Sequence, residues 1–351
     1  MPTADLIRQR LARQQMTSST CRTPAEVVSW LGGMQAQDYE HSKWAIGLRL
    51  PDSTVQLVDQ AIADRNILRS WIMRGTLHWA AADDLHWMLD LLAPRLLAGS
   101  AGRHRQLGLE PADFRRSRSI LENALSGRAP LTRKEIAEEY QRAGLDTSGQ
   151  RLYHLLQRAG LEKIICFGPK QGTQFTFTLL EQPAANRPPL PREEAVRELT
   201  KRYFQSRSPA TLEDFVWWSG LTKTEARLGL ELNAKELSSI EYQGATYWSD
   251  APVETLTTFG GALFLPAFDE YLVAYRNREH ALAPGQQKSV ISSNGIFYPV
   301  ILADGKVAGT WKRTFRGPRA IIETTALGKL PELEEAAASF ASFWEKTPEL
   351  S

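Results

Sequence analysis

The segment Met34-Gln35-Ala36-Gln37-Asp38 sets two neutral amides two positions apart, with a carboxylate directly after them. An amide offers an acceptor oxygen and donor protons but no charge. Such a pair suits holding a water or a polar substrate group rather than strong acid–base chemistry. On a helix the two side chains would diverge, whereas in an extended segment they share a face. Gly32-Gly33 just upstream predicts a break in the preceding helix, which makes the extended form accessible. Asp38 could assist, although in an extended segment its side chain points away from Gln37. Spacing alone favours a solvated polar loop.

Other candidates are more dispersed. Arg69, Arg74 and His78 lie on an expected hairpin, where they could meet phosphate or brace the hairpin itself. Arg103 and Arg105 belong to a basic stretch over 95–118. Trp44 and Trp71 could stack on a base, but most tryptophans are core or interface residues. Lys312 and Arg313 follow an expected strand and could bind phosphate or face solvent. Asp269, Glu270 and Arg276 read as an internal ion-pair group. Common hydrolase and P-loop motifs are absent, and His78, His86 and His104 do not have metal-ligand spacing, so neither metal nor cofactor is expected.

The elements that must hold these residues repeat an order. Apolar periodicity predicts short helices near 6–16, 24–31, 41–48 and 55–62, followed by a hairpin of 67–71 with 75–79. Thr132 with Glu135 marks a capped helix, a second helix follows Ser148, and 163–167 with 173–178 forms a hairpin around a Gly/Pro turn. Four prolines over 183–191 predict an extended linker. Behind it come helices over 193–204, 211–220 and 222–230 and a hairpin of 237–240 with 245–248. Strands at 263–265, 296–302 and 306–311, with an Asp304-Gly305 turn, read as a β-rich section, and a helix over 331–346 follows. The fold class is therefore α+β: three tandem winged-helix units with a C-terminal β-rich domain. The expected segments are 1–90, 91–182 (basic connector and second unit), 183–250 and 251–351.

Composition narrows the function classes. The chain is 42% hydrophobic and 23% charged, as for an ordinary globular protein. Cys21 and Cys166 are too few and too far apart for a disulfide framework. Neither a signal peptide nor a membrane span is seen, so a cytoplasmic protein is expected. The net charge of 42 − 40 = +2 hides an asymmetry: residues 1–180 carry 23 − 18 = +5 and residues 181–351 carry 19 − 22 = −3. A basic stretch in a neutral chain suggests an anionic partner on one face, or a solvated surface.

Several blocks together resemble a known family. Met34-Gln35-Ala36-Gln37-Asp38, Arg69-Ser70-Trp71, Arg74-Gly75-Thr76-Leu77-His78, Leu265-Pro266-Ala267-Phe268-Asp269-Glu270-Tyr271 and Asp304-Gly305-Lys306-Val307-Ala308-Gly309-Thr310-Trp311 resemble the AlkZ-type winged-helix DNA glycosylases. So does Ser208-Pro209-Ala210-Thr211 with Asp214-Phe215-Val216-Trp217-Trp218. The resemblance spans about 6–316. It implies tandem winged helices with an accompanying β-domain and a DNA repair enzyme that excises alkylated bases, chiefly N7-alkyl purines, some members also unhooking interstrand crosslinks. It implies that Gln35 and Gln37 are the catalytic pair, since the family motif is Gln, an apolar residue, then Gln or Asp. The expected partner is double-stranded DNA bound by a monomer. With no lysine in the motif, no Schiff-base lyase step is expected. A non-catalytic winged-helix DNA-binding regulator and a protein-interaction scaffold are the competing readings.

Overall fold

The computed structural model of the protein describes residues 3–181, 189–250 and 260–351. Most of the expected Pro-rich linker, including Pro183 and Pro188, lies outside the described residues. The chain begins with α1 (Thr3–Arg13), α2 (Pro24–Trp30), β1 (Met34–Gln35), α3 (Tyr39–Gly47) and α4 (Val55–Ala63). It continues through β2 (Ile67–Trp71), β3 (Leu77–Ala81), α5 (Ala82–Gln106), α6 (Pro111–Leu125), β4 (Leu131–Thr132), α7 (Arg133–Arg142), α8 (Arg151–Leu161), β5 (Ile165–Gln171) and β6 (Gln174–Leu179). Next come α9 (Arg192–Arg207), β7 (Ala210–Thr211), α10 (Leu212–Ser219), α11 (Lys223–Leu232), β8 (Ser238–Tyr242) and β9 (Ala245–Ser249). The last elements are β10 (Ala262–Leu265), α12 (Glu270–Val273), α13 (Gln287–Val290), β11 (Val300–Ala303), β12 (Lys306–Arg316), β13 (Arg319–Ala326), α14 (Glu334–Phe343) and β14 (Thr347–Leu350).

Local chemistry explains many of the boundaries. The Thr23 side chain accepts from the Glu26 amide, and Pro24 opens α2 where no N–H is needed. Reciprocal Thr–acid capping boxes start α7 (Thr132/Glu135), α10 (Thr211/Asp214) and α11 (Thr222/Glu225). Gly220, at φ 73°, closes α10 in the left-handed region. The basic stretch read as a connector is helical: it is carried by α5 and α6. The strand expected over 296–302 begins only at Val300, because Pro299 has no N–H to give to a ladder. The β12 strand runs on to Arg316 by pairing with β13, which sequence patterning did not reveal.

The described residues form two compact units, one from Ala61–Ala195 and the other from Met1–Gln60 with Val196–Ser351. The expected segment 1–90 thus contributes to both, and segments 183–250 and 251–351 share most of one. In the Ala61–Ala195 unit the strands run β3-β2-β5-β6-β4. Trp71 packs on Phe167 at 4.9 Å between ring centres. Gly160 lets α8 approach, since a Cβ there would lie 2.6 Å from the Trp71 ring.

The other unit holds a sheet in the order β7-β9-β8 and another in the order β10-β11-β12-β13-β14. The latter is antiparallel except for the parallel β13/β14 pair. Asp304 (φ 49°) and Gly305 (φ 76°) make the expected two-residue turn between β11 and β12. Ile7 and Leu11 of α1 enter the core there beside Tyr271, Leu265 and Val307. Two stretches share one plan: helix, short strand, two helices, hairpin. In each, the short strand pairs with the second hairpin strand, β4 with β6 and β7 with β9. That is the strand arrangement of a winged helix. The elements α2, β1, α3, α4, β2 and β3 follow the same chain order.

Candidate active site

The amide motif is held by its backbone. Gly32 (φ 60°) and Gly33 (φ 106°) end α2 in conformations that L side chains rarely adopt. Space at 32 is also tight, since a Cβ would lie 3.2 Å from Arg202 Cβ and in van der Waals contact, at 3.6 Å, with the Trp218 ring. The turn is secured by Arg207, whose guanidinium donates to Leu31 O (2.6 Å) and Gly33 O (3.3 Å). The chain then extends. Met34 and Ala36 are buried and Gln37 is exposed, the alternation expected of an extended segment. Gln35 lies at the boundary, 9% exposed.

Glu270 is the anchor. Its Oε1 accepts the Gln35 backbone N–H at 2.8 Å. Its Oε2 accepts from Arg207 Nη2 (2.6 Å) and Trp218 Nε1 (3.0 Å). The Arg207 and Glu270 side chains are 0% and 1% exposed. Two charges out of water are tolerable only when paired and hydrogen-bonded, and here the carboxylate meets three donors. The same network therefore fixes the turn before the motif and the backbone within it.

Downstream, Asp38 caps α3, its Oδ1 accepting the His41 amide at 3.0 Å. The helix and the turn after it then dock on β10 and the segment that follows it through three further residues. His41 Nδ1 accepts the Ala267 amide (3.1 Å), and Trp44 Nε1 donates to Phe264 O (2.7 Å). Arg49, wholly buried, donates to both oxygens of Asp269 at 2.8 Å. Trp311 Nε1, on β12, donates to Leu265 O (2.8 Å) at the end of β10. Three of the sequence blocks singled out above are thus parts of one structure: the second is the seat for the first, and the third supports the seat.

Arg313 borders this site. On β12 it shares a face with Trp311 and Phe315, and its guanidinium lies 4.9 Å from the ring centres of both Phe315 and Trp344. Burial lowers its pKa, while the Asp38 and Glu40 carboxylates oppose the shift. His41 is affected more strongly: burial first, opposed by Asp38, then the Arg313 charge, bring its pKa down to about 4. Lys312 is on the opposite face of β12 and exposed, so the two cations cannot grip one group together.

The AlkZ-like family of DNA glycosylases matches residues 28–343, a range that contains the amide motif together with Arg207 and Glu270, which hold it. The chain belongs to the AlkZ-like DNA glycosylase family. A curated relative, the interstrand DNA cross-link repair glycosylase of Streptomyces sahachiroi, is 27% identical over 325 residues, covering 86% of this chain and 85% of the relative. The solved structure of Streptomyces sahachiroi DNA glycosylase AlkZ has the same fold, with a TM-score of 0.82 over 100% of both chains at 24% identity.

For an AlkZ-like glycosylase, the remaining residues named from sequence are distributed unevenly. Trp44 is a core residue, 3% exposed and 5.3 Å from the rings of Phe340 and Phe343, so its indole has no open face for a base. Trp71 is likewise interior. Arg69 is 2% exposed and stacks on Phe167 and Phe175 at 4.8 and 4.5 Å. His78 is fully buried with Nδ1 at 3.0 Å from Thr76 O. Both therefore brace the hairpin, which corrects the expectation that they meet DNA. Arg74, at φ 56° in the hairpin turn, is half-buried. Arg103 and Arg105 are exposed on the last turn of α5, where their charges also suit the helix dipole. The expected acidic pairing is real but has other partners: Asp269 takes Arg49 and Glu270 takes Arg207, while Arg276 joins neither. Sequence reading missed His41 and Arg207. His41 carried a signal, standing one helical turn after Gln37. Arg207 directly precedes the Ser208-Pro209-Ala210-Thr211 block, but its own spacing from the motif carries no signal.

Among the described residues no helix is long and apolar enough to cross a membrane.

Proposed function

We propose that this DNA repair glycosylase hydrolyses the N-glycosidic bond of alkylated, chiefly N7-alkyl, purine nucleotides in double-stranded DNA, acting as a monomer, with Gln35 and Gln37 as the catalytic pair. The observation that carries this reading is Gln37, an exposed amide on a segment whose backbone is held by the buried Glu270. An N7-alkyl purine already bears a positive charge and leaves as a neutral base, so no general acid is required. What remains is to hold a water on the sugar face and to stabilise an oxocarbenium-like transition state. Amide oxygens accept hydrogen bonds from that water and turn their dipoles toward the developing charge. Asp38 acts chiefly by setting the start of α3. Arg74, Arg103, Arg105, Lys312 and Arg313 contact phosphates. The three helix–helix–hairpin stretches act as winged helices on the duplex. The Streptomyces sahachiroi relative is named for interstrand cross-link repair, and bulky N7-linked lesions fall in the same leaving-group class, so cross-links are included in the proposal.

The test is release of N7-methylguanine from methylated duplex by wild type and Gln37→Ala. The wild type should release base, while the variant should bind duplex normally and release at least tenfold more slowly. No release above background by wild type would sink the reading.

A further inference from the structure

We infer that His41 and Arg313 form an anion subsite that grips a DNA phosphate beside the scissile nucleotide, His41 through its Nε2–H and Arg313 through its guanidinium. This rests on the glycosylase reading above.

The tautomer of His41 follows from its partner. The Ala267 backbone N–H can only donate, so Nδ1 must be the bare, accepting nitrogen and the ring proton sits on Nε2. That nitrogen has no protein partner among the described residues and is not sealed from solvent. One side of the ring is thus engaged in holding α3 to its seat, and the other presents a fixed, neutral donor. Trp311 flanks the imidazole at 5.7 Å between ring centres and orients it.

Arg313 supplies the charge. Among the described residues its guanidinium makes no hydrogen bond and no ion pair; only the Phe315 and Trp344 rings hold it. The nearby Lys43 differs, being paired with Glu40 (3.1 Å) and Asp59 (3.0 Å). Arg313 is therefore a half-buried cation with its donors uncommitted, next to a donor that is itself uncommitted. Such a pair recognises an anion. In an alkylated duplex the candidates are few. The departing base becomes neutral and the sugar becomes cationic, so a guanidinium aimed at either gains nothing or opposes the reaction. The phosphodiester is the anion that fits. Holding it there anchors the bound strand at the site, a contact made equally before and during the reaction, and keeps the Arg313 charge screened from the oxocarbenium.

Two substitutions separate this role from the structural one. Asparagine at 41 places an amide oxygen where Nδ1 stood and can accept from Ala267, but it lacks the outward donor. Glutamine reaches the Nε2 position with an N–H. With methylated duplex as substrate and probe, His41→Asn should raise KM and the duplex Kd about tenfold or more, the usual loss for a hydrogen bond to a charged group. Its kcat should stay within about twofold and its thermal midpoint near wild type. His41→Gln should recover most of the loss. Arg313→Gln should reduce the slope of log Kd against log salt by about 0.9, the contribution of one phosphate, whereas His41→Asn should leave the slope unchanged. Wild-type KM in folded His41→Asn, or an unchanged slope in Arg313→Gln, would overturn the subsite. If the wild type released no base yet both binding effects appeared, the subsite would stand and the glycosylase reading would fall.

Discussion

Replacing Glu270 with glutamine tests how the motif is positioned. The carboxylate faces three donors: the Gln35 amide at 2.8 Å on one oxygen, Arg207 at 2.6 Å and Trp218 at 3.0 Å on the other. A glutamine has one acceptor oxygen and one donor nitrogen, so in either orientation its NH₂ meets an N–H. If the oxygen stays with Arg207 and Trp218, the Gln35 amide loses its acceptor and the motif strand moves. If it turns to Gln35, two donors including a cation lose theirs. In both cases Arg207, wholly buried, keeps its charge without a counter-charge, which costs about 3–5 kcal/mol. Urea denaturation should show a loss of that order, and base release should fall at least tenfold even at temperatures where the variant is fully folded. The double variant Glu270→Gln/Arg207→Met removes the stranded charge. It should regain part of the stability but not the rate, because Leu31 O and Gly33 O lose the Arg207 donors that secure the turn before the motif. Full recovery of kcat in the double variant would refute the argument that Glu270 positions the motif. Unchanged stability in Glu270→Gln would refute the energetics as well.

Further outcomes follow from other features of the structure. Gly32→Ala should destabilise by roughly 1–2 kcal/mol through its φ of 60° alone, more where Arg202 cannot yield, and should slow base release with it; thermal denaturation and N7-methylguanine release check both. His41 titrates near pH 4 in the folded chain against 6.5 when unfolded, so between those values the unfolded state binds more protons and stability falls as pH falls. The loss is up to roughly 3 kcal/mol by pH 4, and a variant without the imidazole should show a correspondingly flatter denaturation profile over pH 4–6.5. Arg69→Ala should lower the thermal midpoint, since the guanidinium packs on two rings, and leave the salt dependence of DNA binding unchanged; Arg105→Ala should do the reverse, reducing the salt slope by about 0.9.

Much of this architecture was legible in the chain because it is local. Capping boxes at Thr132, Thr211 and Thr222 and the Asp304-Gly305 turn involve residues a few positions apart, and their geometry depends on little beyond those residues. The Gly32-Gly33 break and the extended amide motif belong to the same class. The helical run of α5 was harder to read: Pro94 and the density of arginines obscure its periodicity, and its 25 residues are held by tertiary packing. β13 went unread because a strand's identity depends on the neighbour that pairs with it.

What the tertiary structure alone decided is which side chains meet. Gln35 and Glu270 are 235 positions apart and Arg207 and Glu270 are 63 apart; no spacing rule links them, yet together they hold the motif. Burial likewise separated arginines that composition treats alike. Arg69 and Arg207 are interior, stacked or paired, while Arg105 is exposed and Arg313, half-buried against two rings, makes no hydrogen bond or ion pair among the described residues. The sequence by itself determined the family and those elements that local signals define, because periodicity, caps and motif order are properties of neighbouring residues. The choice between bracing and binding awaited the fold, because desolvation and partner distance are properties of packing.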